Sequence, residues 1–79
     1  MVLKVYGDAV VMTSRIISIL PYDSQAGKAK VRLVDEADKC GKLIDACMNN
    51  AARSLIVLDS GHIMITPVAS ESLWKRLTA

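Results

Sequence analysis

Leu55-Ile56-Val57-Leu58-Asp59-Ser60-Gly61-His62-Ile63-Met64-Ile65-Thr66 is the stretch on which the fold turns. Leu55 to Asp59 opens with the most continuous apolar run in the chain, the pattern of a central strand covered on both faces. Ser60-Gly61 turns the chain, and His62 to Thr66 returns as the hairpin partner. Pro67 closes that second strand, because proline has no N–H to give to a ladder.

Reading outward toward the N-terminus, Leu43 to Cys47 predicts another strand, joined to the central one by a polar turn with Asn49 and Asn50. Before it lies a helix from about Lys28 to Cys40. Leu33, Ala37 and Cys40, with Val34 beside them, form one apolar stripe at helical spacing. Asp35 and Lys39 stand four apart in the favourable order. Gly41 is placed to end the helix in a left-handed conformation, with Lys39 and Lys42 at its negative pole. Tyr22 to Gly27 reads as a polar loop. The N-terminal third reads as strands at Val2 to Tyr6, Ala9 to Thr13 and Arg15 to Leu20, with Gly7-Asp8 as a tight hairpin turn and Pro21 ending the third. After Pro67, Ser70 is a cap for a short helix whose Leu73, Trp74 and Leu77 face inward, with Glu71 in its first turn and Lys75-Arg76 in its last. A helix so short must dock on something to persist. The sum is one α+β domain over residues 1–79, with a mixed sheet, one main helix and a short C-terminal helix.

Composition narrows the function. Of 79 residues, 52% are hydrophobic, more than so small a body hides easily, and a subunit interface is the simplest outlet for the surplus. Ten basic and eight acidic side chains leave a net charge of +2, too balanced to announce nucleic acid by itself. Cys40 and Cys47 have no CxxC spacing, so neither a zinc site nor a redox motif is implied, and both read as reduced, half-buried packing residues. No apolar run reaches the length of a membrane span, and the start lacks a signal peptide's apolar core and cleavage site, so a cytoplasmic location is expected.

Asp59-Ser60-Gly61-His62 holds all three residue types of a hydrolytic triad. A triad needs side chains that converge from separate elements, whereas Asp59 and His62 flank one turn and Ser60 occupies it, so the reading is turn chemistry. His62 is the single histidine, and with no clustered cysteines it makes no metal site. Asp35-Glu36 reads as a solvated pair on a helix face, and Gly27-Lys28 lacks the rest of a phosphate loop. No catalytic residue, cofactor or small-molecule substrate is expected. The basic residues carry more. Lys28, Lys30 and Arg32 crowd the start of the main helix, where cations oppose the helix dipole yet can join exposed N–H groups in receiving phosphate oxygens. Simple solubility is the competing account. Arg15 and Arg53 each stand just before an apolar strand, where a long side chain projects from the sheet rim toward a phosphate, a neighbouring subunit's carboxylate, or an intrachain partner.

Several segments together resemble the RemA family of bacterial biofilm-matrix regulators. They are Ser14-Arg15-Ile16-Ile17-Ser18-Ile19, Val31-Arg32-Leu33-Val34-Asp35-Glu36-Ala37, Gly41-Lys42-Leu43-Ile44-Asp45-Ala46, Arg53 to Ser60 with His62-Ile63, and Thr66-Pro67-Val68-Ala69-Ser70 with Leu73 and Lys75-Arg76-Leu77. The ending and Gly7-Asp8 also resemble the sister RemB branch. The resemblance covers nearly the whole chain and rests on order and spacing rather than on one motif. It implies a small α+β subunit related to the DNA-binding domain of LytTR-type response regulators. Such subunits assemble into rings, bind repetitive promoter DNA, activate matrix genes and catalyse nothing. The sequence departs from the family in two places. Adjacent DNA-facing arginines in the loop before the central strand are replaced by Asn50 and Ala51, with only Arg53 retained. The loop from Tyr22 to Lys30 is about three residues longer than usual in the family.

Two functional readings follow. In the first, the chain is a DNA-binding transcriptional regulator, and a homo-oligomeric ring multiplies weak phosphate contacts to double-stranded DNA. Arg15 and Arg53 donate to phosphates, Asn49 and Asn50 add neutral hydrogen bonds, and Lys28, Lys30 and Arg32 assist. In the second, the ring is a structural or protein-interaction module without DNA, which the missing arginine pair and low net charge favour.

Overall fold

The computed structural model describes residues 1–22 and 27–78, with the side chain of Thr78 left aside. The loop reading across residues 23–26 lies outside the described residues. The elements run β1 (Val2–Tyr6), β2 (Ala9–Met12), a single 3₁₀ turn (Thr13–Arg15), β3 (Ile16–Pro21), α1 (Lys28–Lys39), β4 (Leu43–Asp45), β5 (Ser54–Leu58), β6 (Ile63–Thr66) and α2 (Ser70–Thr78). This is the α+β architecture that the sequence reading expects.

The apolar run does become a central strand. β5 lies between β3 and β6 in a four-stranded sheet of order β3-β5-β6-β4. β5 pairs antiparallel with both neighbours, and β4 joins β6 in parallel, with Leu43 opposite Ile63 and Asp45 opposite Ile65. Side chains alternate across β5: Leu55 packs with Val34, Ala37 and Ile63 of α1 and β6, while Ile56 and Leu58 face a second cluster with Leu3, Val5, Val11, Ile19, Met64 and Leu73. Thus α1 covers one face of the sheet, and the β1–β2 hairpin together with α2 covers the other. A two-stranded hairpin is marginal alone, and here its inner residues Leu3, Val5 and Val11 are buried in that second cluster.

Two local devices shape the sheet. In β3 the register slips between Ile16 and Ser18, so Ile17 is an extra residue and is 66% exposed. In β1 the register slips between Lys4 and Tyr6, and the carbonyls of Lys4 and Val5 accept hydrogen bonds from the Arg76 guanidinium at 2.9 and 3.2 Å. Arg76, read from the sequence as a dipole partner of α2, therefore also pins that helix to the hairpin.

Helix ends follow the expected chemistry. Gly41 has φ +72°, its N–H donates to Asp38 at 3.1 Å, and the N–H of Lys42 donates to Ala37 at 2.8 Å. This is the paired closure that a left-handed glycine permits. Three sequence readings shift. The sheet-facing line of α1 is Val34 and Ala37, whereas Leu33 and Cys40 are exposed. The helix meets the sheet along a line rather than a wide stripe, so residues one step around it escape cover. In α2, Leu73 is fully buried and Leu77 half-buried, but Trp74 stays 49% exposed, because only one of two adjacent helical positions can face inward. β4 stops at Asp45, short of Cys47, where the Asp45 carboxylate turns back to accept the Cys47 N–H at 2.9 Å.

Candidate nucleic-acid interface

The ladder of β3 against β5 sets the geometry of the basic residues. Ile16 lies opposite Leu58 at one end, and Pro21 opposite Ser54 at the other. Arg15 precedes Ile16 and Arg53 precedes Ser54, so the two arginines sit at opposite ends of the sheet. The Arg15 carbonyl meets Asp59, six residues on from Arg53 along β5, so roughly 20 Å of rise separates them.

At the Arg53 end several elements converge. The Arg53 N–H donates to Thr66 at 2.8 Å and its carbonyl accepts from Tyr22 at 2.9 Å, which holds the backbone while the side chain is exposed. Arg53 lines a cleft of about 320 Å³ with Pro21, Ala69, Ser70 and Glu71. The Lys30 ammonium reaches the same rim, donating to the Pro21 carbonyl at 2.8 Å. Lys28 opens α1. Arg32 lies one turn further along, four residues from Lys28, so the two share a face with Val31, Asp35, Glu36 and Lys39. Lys30 stands on a different side of the helix, so the three cations divide between two surfaces.

The loop between β4 and β5 ends at the same rim. Met48 and Asn49 have φ of +51° and +71°, two consecutive residues in the left-handed region, where side chains other than glycine are uncommon. Asn50 holds this bend. Its amide group donates to the carbonyls of Cys47 at 3.0 Å and Met48 at 3.4 Å and to the Tyr6 hydroxyl at 3.2 Å. Its N–H also donates to Cys47 at 3.0 Å. Asn49 and Ala51 are exposed on the outside of the loop. The anchoring of the bend by Asn50 was not legible in the sequence, because Tyr6 lies 44 residues away.

Arg15 is differently employed. Its guanidinium lies 3.7 Å from the Asp59 carboxylate, both largely exposed, and its carbonyl accepts the Asp59 N–H at 2.8 Å. The intrachain account of Arg15 is thus the one seen. The pair is worth little in energy at so wet a position. The Asp59 carboxylate is paired with Arg15, and Ser60 Oγ lies 2.7 Å from His62 Nδ1 two residues on, a local contact of the kind that turn chemistry provides. Among the described residues, no group of three or more His, Cys, Asp or Glu side chains is placed to hold a metal ion, and no helix is long and apolar enough to cross a membrane.

The two cysteines part company. Both are free, with Cys40 exposed at the end of α1 and Cys47 buried. Burial, then the Asp45 carboxylate beside it, pushes the Cys47 thiol up to about 11 from an ordinary 9.0, so it stays a neutral packing group.

Comparison with known proteins adds the family context. Residues 2–77 match the model of the RemA-like family, described as extracellular matrix regulatory protein A-like. A regulatory protein of Leptospira biflexa is 45% identical over 76 residues, covering 96% of this chain and 78% of that one. A regulatory protein of Thermodesulfovibrio yellowstonii is 40% identical over 68 residues, covering 86% and 76%. One from a Geobacillus species is 36% identical over 72 residues, covering 91% and 78%.

Proposed function

We propose, from the premise that the chain belongs to the RemA-like family of extracellular matrix regulatory proteins, that it regulates transcription by binding double-stranded DNA as a homo-oligomeric ring in the cytoplasm. The observation that carries this reading is the meeting of Arg53 and Lys30 around Pro21 at the end of the sheet where the β4–β5 loop enters β5. Each subunit offers only a few phosphate contacts, and a ring repeats them along one duplex. Such contacts position the protein without reading bases, so sequence preference comes from the shape and spacing of the DNA. Arg15, at the far end and engaged with Asp59, contributes less than Arg53 in this scheme. Asn50 supports the loop, and Asn49 supplies the neutral hydrogen bond. The mechanism uses no catalytic residue and no cofactor.

A second reading, a ring-forming structural module that does not touch DNA, is favoured by Glu71 on the wall of the Arg53 cleft and by a net charge of only +2. Titrating duplex DNA at several salt concentrations separates the two. Arg53→Ala weakens binding to all sequences alike and flattens the logarithmic salt slope by about 0.9 for each phosphate no longer neutralised. Ala51→Arg adds a cation on the exposed loop without disturbing Asn50, and steepens the slope. Unchanged binding in both variants, with the assembly intact, rules out the DNA reading for this surface and leaves the structural module.

A further inference from the structure

The turn from Cys47 to Asn50 is built against the preferences of one of its residues. The Asn50 N–H closes on the Cys47 carbonyl at 3.0 Å, and φ is positive at both Met48 and Asn49, the marks of a type I′ turn. Asparagine tolerates that backbone. Methionine at +51° is held where few side chains settle, and it is 68% exposed. Such a shape persists only where the surroundings impose it. The flanks are fixed: the Asp45 carboxylate accepts the Cys47 N–H at 2.9 Å, and the Arg53 N–H donates to Thr66 at 2.8 Å. The first hairpin holds the middle. The Asn50 amide donates to the Tyr6 hydroxyl at 3.2 Å. Met48 Sδ lies over Gly7, 3.0 Å from where a Cβ would stand. Tyr6 is aimed for this contact. Strict alternation along β1 would send it outward with Val2 and Lys4. The register slip between Lys4 and Tyr6 resets its direction, and its half-buried ring packs against the cluster that holds Leu3, Val5 and Val11. The ring is thus anchored in the core while the hydroxyl serves the distant loop.

We infer that Tyr6 is the positioning residue of the β4–β5 loop: its hydroxyl holds the strained turn in the shape that presents the exposed Asn49 and Ala51 to DNA. The effect on DNA rests on the DNA reading above, whereas the hold on the turn stands apart from it. Without the hydroxyl, the Asn50 amide keeps its bonds to the Cys47 and Met48 carbonyls. The left-handed Met48 then loses a contact that offsets its strain, and other loop shapes fill. Apparent affinity falls in proportion to the fraction of loops still in the competent shape. No cation is removed, so the dependence on salt keeps the wild-type slope, unlike the flattening expected of Arg53→Ala.

Two substitutions test this in the full chain. Tyr6→Phe removes the hydroxyl and leaves the packed ring. Met48→Asn replaces the strained residue with one that favours the first central position of a type I′ turn. Duplex titration at several salt concentrations, and hydrogen exchange over residues 46–53 read by mass spectrometry, are compared for wild type, each variant and the double variant. Tyr6→Phe is expected to bind about threefold more weakly or worse, with an unchanged salt slope, and to exchange faster across the turn. Met48→Asn alone binds as wild type does. Added to Tyr6→Phe, it restores affinity and slows exchange again, because the turn no longer needs the hairpin to impose its shape. Equal exchange in wild type and Tyr6→Phe overturns the positioning role. So does a loosened turn with unchanged duplex affinity, or an affinity loss that Met48→Asn does not rescue. A wild type that binds no duplex overturns the DNA reading alone; exchange that Tyr6→Phe quickens and Met48→Asn slows again still establishes the hold on the turn.

Discussion

Leu73→Ala is the sharpest test of how the second face of the sheet is built. Leu73 is fully buried. It lies in one cluster with Leu3 and Val5 of β1, Ile19 of β3 and Ile56 of β5. It is thus the main apolar tie between the C-terminal helix, the hairpin and the sheet. Truncating a buried leucine costs about 2–5 kcal/mol, and a site walled by three elements collapses poorly, which places this one at about 3–4 kcal/mol. At roughly 0.05–0.15 kcal/mol per residue, a chain of this length holds only about 4–12 kcal/mol in total. The variant therefore loses about a quarter of its stability or more. With a urea slope of about 1 kcal/mol per molar, the midpoint falls by about 3 M. The assay is urea unfolding followed by far-ultraviolet circular dichroism. Protein concentration is held equal throughout, since association adds concentration-dependent stability. Ser72→Ala, one residue earlier on the exposed side of α2, is the control and shifts the midpoint little. A loss below about 1 kcal/mol for Leu73→Ala with an unchanged slope would refute the docking of α2 on the hairpin.

Two further outcomes follow from buried polar and titratable groups. Ser54 is fully buried and its hydroxyl donates to the Val68 carbonyl. Ser54→Ala strips that carbonyl of its donor and lowers stability by about 1–3 kcal/mol in thermal melts, whereas an unchanged melt means the carbonyl finds another partner. The Cys47 thiol has its folded value raised to about 11 from 9.0. Its contribution is complete below pH 9 and is lost as pH climbs through 11, so wild-type stability falls across that window more steeply than that of Cys47→Ala. Thiol labelling of the native protein accordingly modifies exposed Cys40 first, and equal rates at both cysteines contradict the burial of Cys47.

Local chemistry was readable directly from the chain. An unbroken apolar run between turn residues needs cover on both faces, so the central place of β5 could be read from Leu55 to Leu58 alone. Gly41 could be recognised as a helix terminator because few other residues tolerate a left-handed backbone there. Family membership was likewise legible, since it depends on residue order and spacing along the whole chain. Anything that depends on which distant segments meet was left to the tertiary structure. Helical periodicity marked an apolar side of α1, but only packing against the sheet chose Val34 and Ala37 over Leu33 and Cys40. The sequence put Arg15 and Arg53 in equivalent positions before two strands; antiparallel pairing of those strands sent them to opposite ends of the molecule. Asn50 looked like a donor to a ligand until Tyr6, brought in from the first hairpin, showed its amide holding the loop instead. The physical reason is the same in each case. Propensities, turns and caps depend on neighbours within a few residues, whereas the division of side chains between core, loop support and open rim depends on packing that forms only when the chain closes on itself.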